Sequence, residues 1–183
     1  DIACKFCNKG QYAVDARVAC KVCEVGKFQE LVQAAAYTCK FCAAGTEFTA
    51  KNAPCDPCDS GKYQEQNSVA LTTGSCKFCL AGTEFTSITT QCDNCAAGKF
   101  HHLNNEERAV CKHCPAGFKF DTKSTECIEC VSGQYQEQND ASSVNCKFCN
   151  KGQYAVDATV ACKVCEDGKF QELTEAAAYI GNV

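Results

Sequence analysis

Every cysteine of this chain stands in a Cys-x-x-Cys pair, and no other side chain recurs at a density and spacing that point to chemistry. The ten pairs begin at Cys4, Cys20, Cys39, Cys55, Cys76, Cys92, Cys111, Cys127, Cys146 and Cys162, and they account for all 20 cysteines of the 183 residues. Two sulfurs with two residues between them can face one tetrahedral zinc ion, form a redox couple, or cross-link to other pairs. A redox couple needs one thiol acidified by a helix start or by neighbouring cations, and nothing singles out one pair here. Haem attachment needs a histidine directly after the second cysteine, which none of the ten pairs has. A zinc-thiolate array remains one reading, because Cys-x2-Cys-x15-Cys-x2-Cys lies within the spacing of a four-thiolate site. Disulfides explain more of the composition, since an even and very high cysteine count marks a covalent scaffold in an oxidising, extracellular setting. His101, His102 and His113 fall in one stretch of the chain and are read as exposed loop residues, not ligands. No Ser, His and acid set recurs and no carboxylate pair has a definable shared environment. The chain is therefore expected to be no enzyme and to use no cofactor.

What positions the cysteines is a repeat. Steps between successive pairs run 16, 19, 16, 21, 16, 19, 16, 19 and 16 residues, so a short and a long step alternate in compound units of about 35 residues. These divide the chain into repeat units 1–38, 39–75, 76–110, 111–145 and 146–183, the fifth a near copy of the first. Cys4 to Tyr37 and Cys146 to Tyr179 match at 30 of 34 positions. Short loops hold 12 residues between pairs and long loops 15, except for 17 after Cys58, where Thr72-Thr73-Gly74-Ser75 reads as an exposed loop tip.

Each loop opens alike. A turn glycine follows the second cysteine at the third place, as Gly10, Gly26, Gly45, Gly61, Gly82, Gly98, Gly117, Gly133, Gly152 and Gly168. Positive φ costs glycine little, so these are turns, not phosphate cradles. An aromatic comes next, from Tyr12 and Phe28 through to Tyr154 and Phe170, and is expected to cover the sulfurs. Segments such as Lys27-Phe28-Gln29-Glu30-Leu31 and Lys62-Tyr63-Gln64-Glu65-Gln66 alternate apolar with polar, the period of a short half-exposed strand. Glu30 to Tyr37 and Glu172 to Tyr179 carry Ala-Ala-Ala and offer a turn or two of helix, but strand or irregular structure is the expectation.

Composition agrees with a chain lacking a central core. Val, Ile, Leu and Phe supply 33 positions, too few for a conventional single domain of this length. A unit of about 35 residues buries too little to offset a chain entropy on the order of 1 to 2 kcal/mol per residue, and so needs staples. Closing a loop of about 15 residues contributes roughly 3 kcal/mol. The net charge of -4, with both signs interspersed, argues against nucleic acid as a partner. No apolar run approaches a membrane span, and no signal peptide opens the chain, which begins at Asp1 without a methionine and is read as processed or an excerpt. There is no Asn-x-Ser/Thr sequon; Thr86, Ser87, Thr89 and Thr90 are the densest hydroxyl run and the candidates for O-linked glycans.

Spacing alone leaves two connectivities open. A ladder joins the second cysteine of each pair to the first of the next: Cys7 to Cys20, Cys23 to Cys39, Cys42 to Cys55, Cys58 to Cys76, Cys79 to Cys92, Cys95 to Cys111, Cys114 to Cys127, Cys130 to Cys146 and Cys149 to Cys162. A crossed scheme pairs Cys4 with Cys20 and Cys7 with Cys23, and so on in each compound unit, leaving none over. The ladder leaves Cys4 and Cys165, because Tyr37-Thr38-Cys39 becomes Tyr179-Ile180-Gly181 in the last unit. An inter-subunit disulfide between Cys165 and Cys4 of a following subunit would then complete it.

The signature Cys-x-x-Cys-x-x-Gly-x-Tyr/Phe, with 12 to 15 residues to the next pair, resembles the cysteine-rich modules of tumour necrosis factor receptors and the related ephrin-receptor-like repeats. Segments such as Cys39-Lys40-Phe41-Cys42-Ala43-Ala44-Gly45 and Gly61-Lys62-Tyr63-Gln64-Glu65-Gln66-Asn67 are most similar to long arrays of that type in surface or filament proteins of microalgae and other protists. The resemblance implies ladder pairing. It also implies the fold class: small disulfide-rich repeats in an elongated, solenoid-like rod with short strands or hairpins and little helix. One cysteine pattern used throughout suits a fibre better than a receptor, whose binding face needs distinctive modules. The expectation is an extracellular, cell-surface or secreted structural protein that self-associates into a filament, flagellar hair, wall or coat. The alternatives are a receptor or adhesin ectodomain that binds a protein through the segment carrying His101, His102, Glu106, Glu107 and Arg108, and the zinc-thiolate array.

Overall fold

The computed structural model describes residues 4–34, 36–67 and 75–172. Its elementary unit is a four-residue turn. In each of the ten loop openings the N–H after the glycine donates to the carbonyl of the residue after the cysteine, as Gln11 to Asn8 and Lys169 to Glu166, at 3.0 to 3.2 Å. The glycines occupy the third turn position with φ between 74° and 87°. The residue before each glycine is not among the positive-φ residues, so the turn is type II, whose third position demands glycine or asparagine.

The turn sends the chain straight into a strand of two residues. Gln11–Tyr12 pairs antiparallel with Lys21–Val22, and Lys27–Phe28 with Lys40–Phe41, and in eight of the ten Cys-x-x-Cys pairs the two inner residues form the returning strand. Eight such two-stranded sheets occur among the described residues. A ninth pairing is reduced to the Phe100 and Lys112 bridge, whose N–H groups donate to each other's carbonyls at 2.8 and 2.9 Å. The register does not depend on loop length. Lys62 faces Phe78 across the 17-residue loop as Lys27 faces Phe41 across the 15-residue one. Thr72, Thr73 and Gly74 lie outside the described residues, and Ser75 is exposed.

Nine disulfides close the hairpins: Cys7–Cys20, Cys23–Cys39, Cys42–Cys55, Cys58–Cys76, Cys79–Cys92, Cys95–Cys111, Cys114–Cys127, Cys130–Cys146 and Cys149–Cys162. This is ladder connectivity, and the crossed scheme does not occur. Sulfur is also the interior. Of the 15 buried apolar residues in the described part, ten are cysteines, the others being Tyr37, Tyr63, Ala109, Val144 and Ala155. Three of those five, Tyr37, Ala109 and Val144, stand two residues before the first cysteine of a pair, where each long loop returns.

No helix forms among the described residues. Between Glu30 and Tyr37 the described chain bends, with Gln33 at φ 57°, and the copy after Glu172 lies outside the described residues. The chain falls into two compact units, one of Asp1–Cys79, Phe85–Cys92 and Asn105–Arg108, the other of Leu80–Glu84, Asp93–Asn104 and Ala109–Val183. In the second, Cys114, Cys127 and Val144 form a small cluster against which Phe100, Phe118, Phe120 and Ala141 pack.

Candidate functional site

The recurring site of this molecule is the joint that fastens one compound repeat to the next. It is built on the short-loop glycine. The N–H groups of Gly10, Gly45, Gly82, Gly117 and Gly152 donate to the carbonyls of Gln29, Gln64, His101, Gln136 and Gln171, each at 2.7 Å. The carbonyls of the same glycines accept from Cys23, Cys58, Cys95, Cys130 and Cys165 at 2.8 to 2.9 Å. The acceptor residue then reaches forward through its own N–H: Gln29 to the carbonyl of Lys51, Gln64 to Ile88, His101 to Lys123 and Gln136 to Ala158, at 2.8 to 2.9 Å. One residue per compound unit thus holds its own short loop with one main-chain group and the following unit with the other.

The side chain at this place is buried, although it is polar. Gln29, Gln64 and Gln136 are 2 to 3 % exposed. Burial of an amide is tolerable only when its groups are bonded, and here they are. Gln64 Nε2 donates to Thr46 O at 3.0 Å and Ala43 O at 3.4 Å, and Gln136 Nε2 to Phe118 O at 3.0 Å and Pro115 O at 3.1 Å. Gln29 Nε2 donates to Gln11 O at 2.8 Å. Each Oε1 accepts the N–H two residues on, from Leu31, Gln66 and Gln138. The expected short strands form at Lys27–Phe28 and Lys62–Tyr63, with Phe28 half-buried and Tyr63 buried, but the glutamine that follows, the polar place of the alternation, is buried as well. The signal was present as Gln at the third place after the long-loop glycine in four of five units.

A second polar clip serves the same turns. Asn67, Asn104 and Asn139 accept through Oδ1 from the N–H groups of Ala44, Ala81 and Ala116 at 2.8 to 2.9 Å. On the outer edge, Lys27 bonds Glu24 at 2.7 Å and Lys62 bonds Asp59 at 2.8 Å across the long-loop turn. The same ammonium groups lie over the rings of cross-strand Phe41 and Phe78, 4.9 and 5.2 Å from their centroids. Hydrogen bonding to these lysines holds the carboxyls of Glu24 and Asp59 below the usual range, and Asp59 in turn raises Lys62. The Thr159 hydroxyl, 2.5 Å from Asp157, lowers that carboxyl in the same way.

Two long-loop glycines, Gly61 and Gly98, stand tight against the backbone of another unit. A Cβ on Gly61 would overlap the main chain of Glu107, and one on Gly98 that of Ser142 and Ser143. A Cβ on Gly45 would stand 3.0 Å from Thr89 Cγ2, whereas on Gly152 and Gly168 it would meet nothing within 4 Å.

Several residues singled out by sequence have other surroundings than expected. His101 is not an exposed loop residue: it occupies the glutamine place of the third unit at 4 % exposure. His113 is half-buried, and His102 is exposed, stacked on Phe100 with centroids 5.8 Å apart. Glu107 and Arg108 are exposed and Glu106 is half-buried. In the hydroxyl run, Ser87 and Thr89 are bonded to each other at 3.0 Å, and the Thr89 methyl packs beside Gly45. Eighteen cysteine sulfurs are engaged in disulfides; Cys4 is a free, exposed thiol and Cys165 a free, half-buried one. In the first unit, Phe6, Val14, Val18 and Tyr37, with Lys5 and Asp15, line an open cleft of about 480 Å³. Among the described residues no helix is long and apolar enough to cross a membrane.

No protein-family model matches this chain, and no curated protein sequence matches it either. Its class rests on its own architecture: a cysteine-rich tandem array of units of about 16 to 19 residues, each with a disulfide and a short hairpin. Such dense disulfides mark an extracellular or secreted structural or binding protein.

Proposed function

We propose that this chain is a structural, non-enzymatic component of an extracellular assembly, a disulfide-stapled array related to the tumour necrosis factor receptor and ephrin-receptor-like modules, which self-associates into a filament, hair, wall or coat. The observation that carries the reading is the repeated joint. At four successive joints the residue that accepts the short-loop glycine N–H donates its own N–H to a carbonyl of the following unit, and the four bonds share the same length of 2.8 to 2.9 Å. A binding module gains from variation at one place, whereas a chain whose units all couple alike gains from length. Quasi-one-dimensional repeats of this kind add units at nearly constant free energy per joint and need no closing contact. The test is negative-stain microscopy of native material. Filaments or sheets with an axial period matching the repeat support the reading, and dispersed monomers at every concentration would refute it.

A further inference from the structure

Ladder pairing decides more than which cysteines are partners: it decides which bonds carry a pull. From Cys7 to Cys162 one covalent route runs through nine disulfides and the eight Cys-x-x-Cys links between them, crossing each loop through its sulfurs and not along its backbone. No loop residue lies on that route. In the crossed scheme each long loop, such as the one between Cys23 and Cys39, would instead be the sole connection from one compound unit to the next.

The only backbone on the route is the pair of residues inside each link, and that is the backbone held in strands. Seven of the eight links pair antiparallel with the residues after a turn glycine, and the eighth is held by the bridge of Lys112 to Phe100. The hydrogen bonds between units lie off the route. Gln29 to Lys51, Gln64 to Ile88, His101 to Lys123 and Gln136 to Ala158 each run from a long loop to the short loop of the next unit. A pull on the chain breaks these bonds first, while every loop stays closed and its partners remain close enough to re-form them.

From this we infer that the chain works as a tension-carrying tether of fixed limiting length, whose loops are held in reserve until a thiol opens a bridge. The inference rests on the proposed structural assembly, which supplies the pull. At roughly 3.5 Å per extended residue, and with bridges of 5.5 to 5.8 Å between Cα atoms, Cys7 and Cys162 separate to at most about 135 Å with the bridges intact and about 540 Å without them. One exchange step releases a loop. The thiolate of a reductant bonds to one sulfur of a bridge, the S–S bond breaks, and its electron pair leaves with the other sulfur as a thiolate. Each opening adds the loop length less the bridge: about 40 Å for a separation of 13 residues, about 50 Å for 16 and about 58 Å for the 18 of Cys58–Cys76.

The experiment pulls the whole chain between terminal handles attached by enzymatic tags, with Cys4 and Cys165 alkylated, at constant force, first without reductant and then with dithiothreitol. Without reductant the tether should stop about 400 Å short of the fully reduced chain. With dithiothreitol it should lengthen in nine steps, five of about 40 Å, three of about 50 Å and one of about 58 Å. Two kinds of cleavage check the same route on gels. Arg17 and Arg108, the only arginines, both lie in loops, whereas the only Asp-Pro bond, acid-labile Asp56–Pro57, lies in a link. Arginine-specific cleavage in urea should leave one full-length band on non-reducing denaturing gels and three pieces after reduction. Acid cleavage at Asp56–Pro57 should separate 1–56 from 57–183 with no reductant present. Full extension without reductant, steps of other number or size, pieces released by arginine cleavage alone, or fragments still joined after cleavage at Asp56 would each overturn the tether. Filaments in native material together with full extension would end the tether alone. The nine steps with only dispersed monomers in native material would uphold the tether and end the assembly reading.

Discussion

Replacing Gln136 by alanine tests whether a buried amide holds each joint. The side chain makes three hydrogen bonds: two donated by Nε2 to Pro115 and Phe118 and one accepted by Oε1 from the Gln138 N–H. At roughly 1 kcal/mol net apiece their loss costs about 3 kcal/mol, and more where the carbonyls left behind stay dry. The bonds reach back 18 and 21 residues, so the cost falls on one joint and not on the whole array. Native-state hydrogen exchange reads that directly. The amides of Gly117 and Gln136, which form the joint, should exchange on the order of 100-fold faster, by the tenfold change per 1.4 kcal/mol, while Gly10 and Gln29 in the first joint stay protected. Gln171→Ala is the internal control, because its side chain is half-buried and its Oε1 has no partner among the described residues; its effect should stay below about 1 kcal/mol. Equal effects of the two substitutions, or exchange that rises uniformly along the chain, would refute the reasoning.

Gly61→Ala should be far worse than Gly152→Ala: the latter meets only the backbone cost of positive φ, about 1 to 2 kcal/mol, whereas the former must also displace the Glu107 main chain, for roughly 4 kcal/mol in all by chemical denaturation. The Asp59 carboxyl is depressed in the folded state by Lys62, so its contribution is fully present above the ordinary aspartate range and is lost as pH falls through the lowered folded value. Lys62→Gln should return Asp59 to the ordinary range in a carboxyl-carbon NMR titration, and an unchanged midpoint would count against the ion pair. Peptide mapping without reduction should find nine bridges and alkylation of Cys4 and Cys165 alone; a Cys4–Cys20 link would overturn the ladder. Full reduction removes loop closures worth about 3 kcal/mol each and should abolish the hairpins seen by circular dichroism.

How much of this was legible follows from the range of each interaction. The turn is local: four residues, one hydrogen bond and a glycine at positive φ, so ten copies of Cys-x-x-Gly declare it. The hairpin is nearly as local, because the strand begins directly after the turn glycine and returns on the two residues inside the next Cys-x-x-Cys, whatever the loop between them holds. The repeat period, the lack of a conventional core and the covalent economy of the chain are likewise properties of composition and spacing. Gln29 and Gln64, the polar places of the alternation, are buried because solvent exposure belongs to the neighbourhood and not to the residue. An amide is polar by type, and only the arrival of carbonyls from 18 to 21 residues away makes its burial favourable. His101 follows from the same cause: its type suggests a surface, but its place in the repeat is the glutamine place.

The disulfide partners lay beyond spacing for a related reason, since two connectivities fit the same intervals and only three-dimensional proximity of Cα atoms, 5.5 to 5.8 Å in all nine pairs, separates them. The first and fifth units make the division plain. Their residues are almost the same, and so are their turns, hairpins and internal bridge, which sequence specifies within each unit. Yet Ala13 is exposed where Ala155 is buried. That difference is set by which repeat stands on either side, because burial is a contact with another part of the chain and has no existence within the unit that undergoes it.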